Sequence, residues 1–77
     1  MNHHSVWRGI ECIASARNMS CSRLARHSGL DATTFNKSKR WSSDGKPRWP
    51  SMLSVAKVLE STGATLEELV KYIKENS

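Results

Sequence analysis

Side chains suited to hydrogen bonding with nucleobases are concentrated in the stretch ATTFNKSKR at positions 32–40. Asn36 can form two hydrogen bonds with adenine, and Lys37 can donate to guanine. Ala32 or Thr33 can offer a methyl group to thymine. If the stretch is a helix that enters the major groove, these four side chains point outward while Phe35 turns inward. We therefore interpret Ala32, Thr33, Asn36 and Lys37 as candidate base-reading residues.

Cations and hydroxyl groups flank the same stretch, and both residue types bind phosphate oxygens in protein–DNA contacts. Two tryptophans border the basic segment that follows it. Trp41 either stacks on a sugar or nucleobase or closes the core, whereas Trp49 directly precedes a helix start and is predicted to be a core residue. The candidate phosphate-contacting residues are Ser22, Arg23, Thr34, Lys39, Arg40, Lys46 and Arg48.

Five short helices are predicted to position these residues, because apolar residues recur at steps of three and four along most of the chain. Ser20, Asp31 and Ser51 stand where N-caps are needed, and Thr65 and Glu68 have the spacing of a capping box. No segment alternates as a strand would. The sequence thus predicts one all-α domain over residues 1–77, with helices at about 5–18, 21–28, 32–40, 51–62 and 65–75 and an exposed basic loop at 41–50.

Three residues between positions 21 and 40 have the spacing of a helix-turn-helix motif. Ala25 is small enough to let two helices cross closely. Gly29 can adopt the left-handed conformation that a sharp turn requires. Phe35 holds the third helix against the first two. These three residues are the structural candidates of the motif.

The net charge of +5 favours a polyanionic partner. Residues 1–40 carry seven basic and two acidic residues, whereas residues 51–77 carry three basic and four acidic ones. No nucleophile motif or phosphate-binding glycine loop is present, so the sequence predicts no enzyme, no cofactor, no metal site and no small-molecule substrate. The two cysteines, at positions 12 and 21, are predicted to be reduced thiols.

The segment from Ser20 to Leu69 resembles the Cro/cI type of phage and bacterial repressor domain. The resemblance is carried by the motif above and by the run WPSMLSVAKVLESTGATLEELV at positions 49–70, which is similar to the fourth and fifth helices of that family. In particular it resembles the N-terminal domains of LexA-like self-cleaving repressors, in which a basic, Pro-containing loop follows the recognition helix. The resemblance implies a transcriptional regulator, a repressor, that binds double-stranded DNA sequence-specifically in a bacterial cell or phage-infected host. The protease half of such repressors has no counterpart, so the chain is either an excised domain or a stand-alone regulator.

The fifth helix offers a second possible interface. Its apolar face, with Val70, Tyr72 and Ile73, either forms a homodimer or packs on the first helix. The alternative function is a helical protein-interaction or antitoxin-like module. No apolar run is long enough to span a membrane, and the N-terminus lacks the pattern of a secretory signal, so we expect a cytoplasmic protein without membrane contact.

Overall fold

Four α-helices and one short 3-10 helix make up the chain in a computed structural model that describes all 77 residues. The helices are α1 (His3–Ala16), α2 (Cys21–His27), the 3-10 helix (Lys37–Lys39), α3 (Met52–Thr62) and α4 (Leu66–Glu75). The only β-type pairing is an isolated antiparallel bridge between Trp41 and Pro47. The all-α prediction is confirmed, although five α-helices are not formed. No helix has both the length and the apolar character needed to cross a bilayer.

The ends of these helices follow from the caps that the sequence predicted. Ser20, Ser51 and Thr65 each accept a hydrogen bond from the backbone N–H three residues ahead. Gly63 ends α3 in the left-handed conformation, with φ of 73°. The predicted reciprocal bond of Glu68 to the Thr65 backbone is absent, since the Glu68 carboxylate binds Arg17 instead.

The predicted third helix at 32–40 is wrong as an α-helix. Asn36 is extended, with φ of −64° and ψ of 150°, and it divides the stretch into two parts. The Phe35 carbonyl accepts from the Arg40 guanidinium, and the N–H four residues ahead of it, that of Lys39, binds the Asn36 carbonyl instead. Every backbone bond within the stretch spans three residues: Thr34 N–H to Asp31, Asn36 N–H to Thr33, Lys39 N–H to Asn36, and Arg40 N–H to Lys37.

Helix α4 packs along α1, and this contact fills most of the core. Gly9 allows the close approach, because a Cβ atom at this position would lie 2.7 Å from Ile73 Cγ1. Ile73 is only 4% exposed, and Val70 and Tyr72 are half-buried. Of the two possibilities for this helix, packing on the first helix is observed for Ile73. Val70 and Tyr72 stay half-exposed, and the homodimer stays a prediction.

The tryptophan of the core is Trp7 on α1, which is 3% exposed. The prediction that Trp49 is a core residue is wrong, because its side chain is 54% exposed, and Trp41 is 52% exposed. Neither ring closes the core. Both cysteines are free thiols, as predicted, and burial raises the pKa of the half-buried Cys21.

Candidate nucleic-acid interface

The helix-turn-helix candidates all occupy structural positions. Ala25 and Phe35 are buried in one core cluster, and Phe35 lies next to the turns that carry the polar residues. Gly29 has a φ of 75°, the left-handed conformation that the turn after α2 requires. Ala25 and Phe35 are buried as expected, but turns follow Gly29 where the second helix of the motif was predicted, so the helix-turn-helix is not confirmed.

The candidate base-reading residues lie on those turns with different exposure. Thr33, Asn36 and Lys37 are exposed, and Ala32 is half-buried. The turn is organised by Asp31, whose Oδ1 accepts from both the N–H and the hydroxyl of Thr33, at 2.9 and 2.7 Å. These hydrogen bonds lower the pKa of Asp31 and keep it ionised. Because the Thr33 hydroxyl donates to Asp31, its methyl group and oxygen lone pair remain for a ligand.

A groove of about 390 Å³ joins this segment to the residues before and within the first turn of α3. Thr33, Thr34 and Lys39 line the groove from the 31–39 segment. Arg48 and Ser51, which lie just before α3, line it as well. Two cations and several hydroxyl groups thus line this one groove. The Asp31 carboxylate also lines it, but this carboxylate already accepts two hydrogen bonds from Thr33.

The predicted basic loop is a small closed hairpin, which we call the basic hairpin and define as residues 40–48. The Arg48 N–H donates to the Arg40 carbonyl at 2.8 Å, and the Ser42 N–H donates to the Lys46 carbonyl at the same distance. At the tip, the Ser42 hydroxyl binds the Asp44 carboxylate, which lowers the pKa of Asp44. Lys46 and Arg48 project from this hairpin as exposed cations.

Three residues on one stripe of α1 hold the base of the basic hairpin. The imidazole of His3 contacts the carbonyl groups of Arg40 and Arg48, and the Trp7 indole N–H donates to Arg48 O at 2.9 Å. Glu11 binds the Arg40 guanidinium at 2.7 Å. Sequence analysis missed this role. The spacing of four residues between His3, Trp7 and Glu11, which places them on one helix face, was the available indication.

Among the candidate cations, only Arg40 is buried. It is 8% exposed, its guanidinium pairs with Glu11 and donates to Phe35 O, and its Cζ lies 5.2 Å from the Trp7 ring centroid. A guanidinium held in this way stabilises the hairpin base and is not available to a phosphate. We therefore remove Arg40 from the phosphate-contacting set.

The remaining phosphate candidates fall into two groups. Lys39 and Arg48 share the groove with Thr34, and Lys46 lies at the hairpin tip with its Nζ 3.8 Å from Asp44. Ser22 and Arg23 lie on α2 and border neither this groove nor the smaller cavity beside Lys37 and Trp41. The groove thus brings together Thr33, Thr34, Lys39 and Arg48. Lys37 borders the smaller cavity, and neither cavity is bordered by Ala32, Asn36, Lys46 or the α2 pair.

Comparison of the chain with protein-family models, curated proteins and solved structures found no match.

Proposed function

We propose that the chain binds double-stranded DNA sequence-specifically and acts as a transcriptional repressor of the Cro/cI type. One observation carries the proposal: Lys39 and Arg48, from two separate segments, border the same groove as the exposed Thr33. Cations placed beside outward polar side chains are what phosphate positioning and base reading require together. The acidic residues Glu60, Glu67, Glu68 and Glu75 lie on α3 and α4, and none of them borders the groove.

In this proposal, Thr33, Asn36 and Lys37 enter the major groove on the turns of the 31–39 segment. Lys39, Lys46 and Arg48 bind backbone phosphates next to the bases that are read. Because the turns wind tightly, only this short set of side chains reaches base edges, and a single chain reads a few base pairs. A second copy on an adjacent half-site would extend the readout, with the half-exposed Val70 and Tyr72 of α4 as the predicted dimer surface.

The test is selection of duplexes from a random pool, followed by comparison of the selected duplex with a shuffled duplex of the same composition. The proposal expects tighter binding to the selected duplex. Equal, weak binding to both would contradict sequence-specific recognition, and absence of binding at low salt would contradict DNA binding altogether.

A second candidate function, a protein-interaction module, is favoured by a different observation. Trp49, Met52 and Leu53 are 54%, 81% and 65% exposed at the start of α3. Large apolar side chains exposed together are typical of protein interfaces. This candidate predicts that Met52→Ser and Leu53→Ser abolish capture of a protein partner while duplex binding is absent from the start.

A further inference from the structure

We infer that His3 is a positioning residue that clamps both ends of the basic hairpin and thereby fixes the orientation of Arg48 toward a ligand. The clamp follows from the geometry of the free protein. Its consequence for DNA rests on the function proposed above. The neighbouring His4 is exposed, whereas His3 is half-buried, and the His4 side chain makes no hydrogen bond, so it provides a comparison.

The hydrogen bonds of His3 require a single tautomer. Its Nε2 lies 2.7 Å from the Arg40 carbonyl oxygen and 2.9 Å from the Arg48 carbonyl oxygen. Carbonyl oxygens only accept, so an unprotonated Nε2 would place its lone pair against the lone pairs of both oxygens; we infer that Nε2 carries a proton. The Trp7 indole N–H lies within hydrogen-bond distance of both His3 Nε2, at 3.1 Å, and Arg48 O, at 2.9 Å; with Nε2 protonated, Arg48 O is its acceptor. One N–H group therefore bridges the two strands of the hairpin at its base.

The imidazole ring also supports the aromatic side chains at both ends of the hairpin. Its centroid lies 4.6 Å from that of Trp41 and 5.6 Å from that of Trp49, the latter at an interplanar angle of 87°. These edge and tilted contacts are favourable aromatic geometries. Both indoles are about half exposed, and the His3 ring packs against each of them.

The basic hairpin needs such a clamp, because a short two-stranded hairpin is at best marginally stable in water. Removing the His3 side chain should act locally, since the N-cap of α1 is Asn2, whose side chain accepts from Ser5 N–H. The helix start therefore survives the substitution. The expected defect is a looser hairpin on an otherwise intact fold.

The experiment compares His3→Ala, His3→Gln and His4→Ala by amide hydrogen exchange, in free protein and without DNA. The probe is the Arg48 N–H, which donates to Arg40 O within the hairpin. His3→Ala should accelerate its exchange about tenfold, the order of effect for one lost hydrogen bond, and leave the buried Ile13 amide unchanged. His3→Gln, which retains an N–H donor at a similar reach, should restore part of the protection, and His4→Ala should match the parent protein.

Two further measurements separate the clamp from the proposed function. Imidazole nitrogen NMR should find Nε2 protonated in His3, and duplex titration should find that His3→Ala weakens binding about as much as Arg48→Ala. Unchanged Arg48 exchange, or a lone pair at Nε2, would overturn the clamp. Faster exchange with unchanged duplex affinity would overturn the positioning role. If the parent protein binds no duplex, the proposed function fails, whereas the exchange and NMR results still decide the clamp.

Discussion

Glu11 on α1 and Arg40 at the base of the basic hairpin form an ion pair in which Arg40 Nη2 lies 2.7 Å from Glu11 Oε2. The same guanidinium donates to Phe35 O at 3.1 Å. One side chain thus connects the first helix, the buried aromatic residue and the hairpin. Burial raises the pKa of Glu11, but hydrogen bonds from Arg40 and Arg8 outweigh this effect and hold the pKa below its usual value.

Glu11→Gln should lower the free energy of unfolding by about 3 kcal/mol, because it leaves the Arg40 charge in the protein without its counter-charge. The Arg40 side chain is 10% exposed and that of Glu11 is 18% exposed, so water cannot solvate the guanidinium as well as the carboxylate does. Urea denaturation at neutral pH measures the loss. Glu60→Gln, at an exposed position without an ion pair, should change little. A loss for Glu11→Gln no larger than for this control would contradict the role of the pair.

Gly9→Ala should destabilise the α1–α4 contact. The added methyl group would meet Ile73 Cγ1 at 2.7 Å and Leu69 Cδ1 at 3.2 Å. The overpacking cost of about 1 to 3 kcal/mol exceeds the gain in helix propensity of about 1 kcal/mol, so we expect a net loss near 1 kcal/mol. The thermal midpoint provides the measurement, with Ser15→Ala on the exposed face of α1 as the control. A Gly9→Ala protein at least as stable as the parent would show that the helices have room for the methyl group.

The bidentate ion pair of Arg17 with Glu68, at 3.0 and 3.1 Å, predicts that the free energy of unfolding depends on pH. The hydrogen bonds from Arg17 lower the pKa of Glu68 below its ordinary 4.5, so the folded state binds this proton less readily than the unfolded state. Its stabilisation is therefore present above about pH 4.5 and is lost as the pH falls through the folded pKa.

Glu68→Gln should thus cost about 0.5 to 1 kcal/mol at pH 7, the range for a partly exposed pair, and almost nothing at pH 3. Denaturation at the two pH values makes the comparison. Glu67→Gln, at an exposed neighbouring position, should show no such pH-dependent difference. An equal cost of Glu68→Gln at both pH values would mean that the carboxylate charge contributes nothing.

Two cationic side chains of the candidate interface are expected to differ in what they contribute to DNA binding. Lys37→Ala should relax the preference at one base pair, because the exposed amine is placed to reach a base edge. Arg48→Ala should weaken all duplexes alike, as the loss of a phosphate contact does. Binding to a panel of single-base variants of the selected duplex distinguishes the two patterns. If both substitutions weaken every duplex equally, the assignment of Lys37 to base reading is wrong.

Most helix ends were predictable from the sequence, because each cap is a local interaction between residues three or four apart, although the N-cap of α1, Asn2, was missed. Ser20, Ser51 and Gly63 needed only their own neighbours to act. The burial of Ala25 and Phe35 was predicted from the spacing of the motif, although the helix expected to carry Phe35 is not formed.

The turn segment and the hairpin clamp were not predictable in the same way. Arg40 donates to the Phe35 carbonyl and is held there by Glu11, which is distant in sequence. His3 acquires its role only when the hairpin carbonyls meet it. In both cases the polar contact joins residues far apart in the sequence, and the periodicity of apolar residues carries no information about it.

The salt dependence of duplex affinity tests the central claim most directly. Three exposed cations, Lys39, Lys46 and Arg48, are assigned to phosphates, which predicts a slope of log K against log salt of about −2.7, at about −0.9 for each phosphate contact. Arg48→Ala should reduce the slope by about one, whereas Lys74→Ala on α4 should leave it unchanged. An affinity that does not depend on salt, or a slope that Arg48→Ala does not alter, would contradict DNA binding by this face.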